Sequence, residues 1–138
     1  MNITIIAVGK IKNKPESILF EEYAKRMSGK IEVKELEDKI DHKFIPKGSF
    51  VVALDENGKQ FSSRDFAKFI EEKQNNGISH FTFLIGGADG HDESTKSKAD
   101  LLLSFGKLTL PHMMARAILA EQIYRAQSII SGHPYHRQ

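Results

Sequence analysis

The chain contains no cysteine, which excludes disulfides, thiolate metal sites and thiol nucleophiles together and suits a reducing compartment such as the cytoplasm. No stretch approaches the ~20 apolar residues that a membrane span requires. The apolar opening Met1–Val8 runs straight into Gly9-Lys10-Ile11-Lys12. With no basic leader and no small-residue cleavage pattern, it reads as a strand and not as a signal peptide. Internal repeats, low-complexity runs and domain linkers are also missing. A chain of 138 residues, 40% hydrophobic and 28% charged, is expected to form a single domain, residues 1–138, with a core of its own. No charge sign dominates: a formal net charge of +2 is too slight to mark a nucleic-acid binder, so any basic surface has to be local.

Strand-like and helix-like patterns alternate along the chain. Ile3–Val8, Phe50–Leu54 and Phe81–Ile85 are short runs of branched and aromatic residues fit for buried strands. Ile31–Leu36 alternates like an exposed strand. Helical spacing of Ile18, Leu19, Tyr23 and Met27 predicts a helix over Pro15–Met27, stopped at Gly29. A second helix is expected from Arg64 to about Gln74, capped by Ser62 or Ser63 and ended by Asn75-Asn76-Gly77. The polar stretch through Lys47 reads as the mobile loop of the chain. A polar helical stretch runs through Asp100, then comes the short apolar segment Leu101–Leu103, and Thr109 is expected to cap a long final helix.

This alternation predicts a three-layer α/β domain around a mostly parallel sheet, in which ligands bind beyond the carboxyl ends of strands. Three loops follow strands and carry unusual residues: 54–58, 85–90 and 104–111. If they converge they form one pocket. Gly86, Gly87 and Gly90 would let backbone approach a ligand closely. Their G-G-x-x-G spacing, however, matches neither the dinucleotide fingerprint nor the P-loop, and Asp89 would repel phosphate; a ligand loop and a simple strand-ending turn both remain open. His112 lies beside Pro111 in the first turn of the final helix, where the dipole disfavours imidazolium and a neutral ring either accepts a proton or fills space. His133 and His136 lack an acidic partner and an H-x-x-x-H pair, which argues against a metal. Glu121 and Arg125 are i,i+4 neighbours, a pair worth about 0.2–0.5 kcal/mol on a helix surface. The tail is either a solvated end or an ordered one: Pro134 stiffens it, and Tyr135 carries apolar area that a floppy end gains nothing by exposing.

Several segments in order, covering nearly the whole chain, carry a resemblance. They are Ile5-Ile-Ala-Val-Gly-Lys10, Leu54-Asp-Glu-Asn-Gly58, Ile85-Gly-Gly-Ala-Asp-Gly90, Thr109-Leu-Pro-His112, Glu121-Gln-Ile-Tyr-Arg-Ala126 and Gly132-His-Pro-Tyr-His-Arg137. Together they resemble the bacterial large-subunit (23S) ribosomal RNA pseudouridine N3-methyltransferase family, RlmH, among the SPOUT methyltransferases. The resemblance implies an α/β fold with a C-terminal trefoil knot, a rare exception to unknotted connectivity. It implies S-adenosylmethionine held by Leu54, by Gly86 and Gly87, and by Gly106, Lys107, Leu108, Thr109, Leu110 and Pro111. It also implies a homodimer with the knot helix near its interface, where Ala115, Ala117, Ala120 and Ala126 would permit close packing. One departure stands out. The family's serine-leucine-serine is Ser104-Phe105-Gly106 here, so a hydroxyl at position 106 is lost while backbone contacts survive.

The implied reaction is an in-line displacement from a sulfonium to a base nitrogen, which needs alignment and proton handling but no metal and no membrane. Arg125 or Arg137 suits an anionic imide and His112 or His136 its proton. Tyr135 suits stacking on the base, and Lys10, Lys12, Arg116 and Arg137 suit phosphates. A chain of ~15 kDa has little surface with which to read RNA alone, so an assembled ribosome is the expected substrate. The alternative is a ribosomal-RNA-binding assembly factor with a degenerate methyl-donor pocket. A small-molecule hydrolase lacks a G-x-S-x-G elbow.

Overall fold

Branched residues make Asn2–Val8 (β1) a strand buried on both faces: Ile3, Ile5 and Ala7 point into the larger core and Ile6 and Val8 into the smaller one. The same alternation divides Phe50–Gln60 (β3) and His80–Ile85 (β4). A computed structural model describes residues 1–137. In it Ile31–Leu36 (β2), β1, β4, β3 and Leu101–Ser104 (β5) form one five-stranded sheet in the order β2-β1-β4-β3-β5. Every pairing between these strands is parallel.

Three helices, Glu16–Ala24 (α1), Ser63–Asn75 (α2) and His112–Ser131 (α4), cover one face. Phe20, Phe66, Ile70, Leu119 and Ile123 supply their buried contacts to the sheet. The opposite face is covered thinly, by Ile40 and Ile45, Phe44 of a short 3-10 helix (His42–Phe44), and Ala99 after Glu93–Lys98 (α3). The architecture is therefore the expected α/β sandwich of layers with a wholly parallel sheet.

Local chemistry accounts for the helix ends. Ser62 accepts the Asp65 N–H at 3.0 Å and caps α2, and Asp92 accepts the Thr95 N–H at 2.8 Å and caps α3. Gly132, at φ +78°, closes α4 in a Schellman arrangement in which the His133 and Gly132 N–H groups reach the Ser128 and Ile129 carbonyls.

Four expectations change. α1 stops at Ala24, and Ile18 is 75% exposed. The inward stripe is Phe20, Tyr23, Ala24 and Met27, which the helical spacing of Ile18 and Leu19 concealed. The polar stretch to Lys47 is not a featureless loop, because Ile40 is buried and Asp41 caps the 3-10 helix through the Lys43 N–H. β3 continues past Leu54 to Gln60, with residues 55–58 as a bulge between two stretches that both pair with β5. Thr109 does not cap α4. Its hydroxyl donates to Glu56 Oε2 at 3.0 Å, and Pro111 begins the helix without a side-chain cap.

The bulge has a specific requirement. A Cβ added at Gly58 would lie 2.5 Å from the Leu102 carbonyl oxygen of the neighbouring strand. Gly58→Ala should therefore lower the unfolding free energy by about 1–3 kcal/mol, the usual range for overpacking, and with it the denaturant midpoint, while Gly48→Ala, in open space but at φ +80°, should cost only the strain of its backbone. Equal midpoints for wild type and Gly58→Ala would show that β5 can shift freely.

Candidate functional site

Because β3, β4 and β5 run parallel, their carboxyl ends lie on one side, and the three loops that follow them line one cavity of about 370 Å³. That volume lies within the ~300–1,000 Å³ of small-molecule and cofactor sites. Leu54, Gly86, Gly87, Gly106, Leu108, Thr109 and Leu110 line it together with His112 at the start of α4. Lys107 and Pro111 are exposed and lie outside the lining. Leu108, a large apolar side chain, is 82% exposed.

The glycine loop is a tight turn as well as a wall. Gly87 and Gly90 bridge each other, and a Cβ at Gly86 would sit 2.9 Å from Gly90 backbone. On the opposite wall, Ser104 Oγ accepts the Gly106 N–H at 3.1 Å and lies 2.9 Å from the Gly106 carbonyl and 3.1 Å from the Glu56 carbonyl. This buried hydroxyl holds the turn in which Gly106 takes φ +134°. Glu56 thus joins the β3 bulge to the 105–111 loop twice, through its carbonyl to Ser104 and its carboxylate to Thr109.

Three further residues on this wall escaped the sequence reading: Glu56, His91 and Lys96. Lys96 Nζ lies 3.9 Å from Asp55. His91 Nε2 donates to the Leu84 carbonyl at 3.1 Å, and burial pushes the imidazole pKa below its ordinary value. Glu56 fills a variable position of the 54–58 segment and His91 and Lys96 belong to no motif, so only the folding of the loops reveals their place in the wall.

The tail is ordered around α4 and away from the cavity. Arg125 donates to Glu121 at 2.5 Å and to His136 Nδ1 at 2.9 Å, and its guanidinium lies 4.8 Å from the centre of the Tyr135 ring. The Tyr135 hydroxyl donates to Glu121 at 2.7 Å and its ring meets Tyr124 edge-on. Burial, then hydrogen bonding with Tyr23 and Glu121, pushes the Tyr135 phenol well above its usual pKa, and the bond to Glu121 raises that of Arg125. Arg137 and His133 are exposed. At ~1.5 Å per residue, Arg125 lies about 20 Å along α4 from His112, so the structure does not bring the tail and the cavity of one chain together. No group of three or more His, Asp or Glu side chains is arranged to hold a metal among the described residues.

Arg116 is not the surface phosphate ligand that its charge suggested. It is fully buried and paired with Glu35, and it donates to the Gly9 carbonyl at 3.0 Å. Ala117, Ala120 and Ala126 are likewise buried within their own subunit, which leaves only Ala115 of the four alanines near a surface, on the cavity wall.

With this geometry in place, comparison with known proteins is specific. The family model described as "Predicted SPOUT methyltransferase" matches residues 1–136. A protein of Paramagnetospirillum magneticum named "Ribosomal RNA large subunit methyltransferase H" is 46% identical over 151 residues, covering 99% of each chain. A protein of the same name from Novosphingobium aromaticivorans is 47% identical over 140 residues, covering 100% of this chain and 99% of its own. In fold, the chain is similar to a probable methylase family protein from Haemophilus influenzae Rd KW20, with a TM-score of 0.61 at 10% identity, covering 99% of this chain and 70% of that one.

The lowered pKa of His91 has a definite consequence for stability. Below its ordinary value of 6.5 the unfolded chain takes up a proton that the folded imidazole resists, so stability is full above that pH and declines as pH falls toward the folded value. The denaturant midpoint of the wild type should therefore fall more steeply between pH 7 and 5.5 than that of His91→Gln, whose amide can still donate to the Leu84 carbonyl. Identical slopes would assign the pH dependence elsewhere.

Proposed function

This chain belongs to the SPOUT methyltransferase family, and from that membership we propose that it methylates N3 of a pseudouridine in the 23S RNA of the large ribosomal subunit. The donor is S-adenosylmethionine, the substrate is the assembled ribosome, and the enzyme works in the cytoplasm as a homodimer. The proposal includes the family's trefoil knot in the segment carrying β5, the 105–111 loop and α4. The observation that carries it is the convergence of three strand-end loops on one cavity with His112 in its wall. The donor set suits such a ligand: glycine backbone that a Cβ would obstruct at Gly86, apolar Leu54 and Leu110, and the carboxylates of Asp55 and Glu56 toward a cationic sulfonium.

S-adenosylmethionine supplies an electrophilic methyl group, so the protein's share is orientation and removal of the imide proton. Gly86, Gly87 and residues 106–110 would hold the donor mainly through backbone groups. Arg125 can donate but not accept, so His136 Nδ1 is the acceptor in their hydrogen bond and a neutral His136 carries its proton on Nε2. Held in that tautomer it can position a carbonyl but cannot take a proton, which leaves His112 as the base. Arg125 and Arg137 stabilise the imide anion. One face of the Tyr135 ring is covered by Arg125, so that face is closed to a base.

The ~20 Å between His112 and Arg125 along α4 supports a composite site, in which the cavity of one subunit meets the tail of its partner. Leu108, exposed in the cavity lining, and Met114, exposed in the first turn of α4, supply apolar area for that interface.

Gly86→Val should abolish binding of S-adenosylmethionine and its demethylated product in calorimetry, because the added side chain meets the Gly90 backbone. Tyr135→Ala and His136→Ala should keep that affinity but slow single-turnover methyl transfer to ribosomes by about 10²-fold, the cost of losing alignment of the base. Wild-type rates in both would remove the tail from the reaction. Mixing His112→Ala with His136→Ala dimers should restore up to about a quarter of wild-type sites through hybrids. Absence of recovery, with hybrids confirmed by native mass spectrometry, would place each site within one chain. Mass mapping of modified nucleosides reads out the target base itself.

A further inference from the structure

Arg116 is 0% exposed, and its bonds converge on one short segment. Its Nη1 pairs with Glu35, and its Nη2 donates to the carbonyls of Gly9 at 3.0 Å and Val8 at 3.3 Å. Glu35 in turn accepts the Ile11 N–H at 2.9 Å. Two elements distant in sequence, α4 and β2, therefore grip the turn that leaves β1. Within that turn the Ile11 side chain is buried, while Lys10 and Lys12 on either side of it are exposed.

The turn also touches the cavity wall. Gly9 adopts φ +96°, and a Cβ there would come within 3.0 Å of Met113 Cε and 3.6 Å of His112 Nε2. Val8 Cγ1 packs 3.2 Å from where a Cβ of Gly87 would stand. Displacing the turn would therefore move two lysines relative to the candidate base.

Stability alone is a poor reason for this arrangement, because replacing an ion pair with one member fully buried by well-packed apolar residues of similar volume is often neutral or stabilising. The Nε of Arg116 is moreover buried without a partner, an uncompensated cost. What an arginine offers and an apolar pair lacks is a rigid fork of donors able to hold two carbonyls and a carboxylate at once.

We propose that Arg116 and Glu35 are positioning residues: a clamp built on the buried Arg116 that sets the Gly9–Lys12 turn so that Lys10 and Lys12 seat RNA phosphates beside His112. This rests on the function proposed above. Neither residue touches substrate or donor; both act through the two lysines.

Removing Glu35 alone strands the buried charge of Arg116, so the test replaces both, as Arg116→Met with Glu35→Met, which leaves an apolar contact in place. The double variant should fold with a lowered melting temperature, since the Ile11 N–H and the Val8 and Gly9 carbonyls lose these partners, while affinity for the demethylated donor product should stay near wild type. The KM for ribosomes should rise about tenfold with kcat changed less than threefold, the pattern of lost binding that is uniform between ground and transition states. The dependence of log KM on log salt should flatten by about one to two, as expected when up to two phosphate contacts are lost at ~0.7–0.9 each. Adding Lys10→Ala and Lys12→Ala to the double variant should bring little further loss, because the clamp acts through them. An unchanged KM and salt slope, losses that simply add to those of the lysine variants, or an equal loss of donor affinity would each overturn the clamp. Amide exchange at Lys10–Lys12 separates the clamp from the reaction it serves. If the wild type proved unable to methylate ribosomes, faster exchange in the double variant would still support the clamp and unchanged exchange would overturn it.

Discussion

Parallel pairing of all five strands is the constraint from which the rest of this molecule follows. Each connection between parallel neighbours must cross back over a face of the sheet, and the carboxyl ends of β1, β3, β4 and β5 accumulate on one side. Loops separated by scores of residues thereby become neighbours without any direct attraction between them. The cavity is the space they enclose, and its polar groups are loop residues held by a rigid scaffold. The crossing helices fall mainly on one face, which gives one deep core and one thin one.

Within that frame α4 links chemistry at its two ends to the core at its centre. Its buried side contributes Leu119, Ala120 and Ile123 to the main core, while His112 begins it beside the cavity and Glu121 and Arg125 organise the tail about three turns further on. A straight helix cannot bring these ends together. The distance is the physical reason behind the proposal of a site shared between subunits, one that independent inspection of each residue would miss.

Small polar contacts keep the cavity open. Ser104 is buried, yet its hydroxyl serves a turn N–H and faces two carbonyls, so the 105–111 loop holds its shape around Gly106. Glu56 reinforces it from the bulge side through Thr109. Neither contact is strong alone, at about 0.5–1.5 kcal/mol net for an ordinary hydrogen bond, but together they join two loops that have no backbone ladder between them.

The periodicity of branched residues sufficed to place β1, β4 and the buried half of β3, and the cap at Ser62 with the Asn75-Asn76-Gly77 stop placed both ends of α2, because those signals are local. The ordered run of glycine, Thr-Leu-Pro-His and tail motifs likewise pointed to the family and to the three loops. Helix orientation was not local: Ile18 and Leu19 match a helical stripe as well as Phe20 does, and only the packing of α1 against α4 selects among them. Charge misled for the same reason. The sequence shows Arg116 as one cation among twenty Lys and Arg residues, whereas its burial beside Glu35 depends on two elements 81 residues apart meeting in space. Spacing along the chain determines what a residue can do with its near neighbours; tertiary structure decides which distant partner it meets, and for Arg116, Glu56 and the tail that partner sets the role.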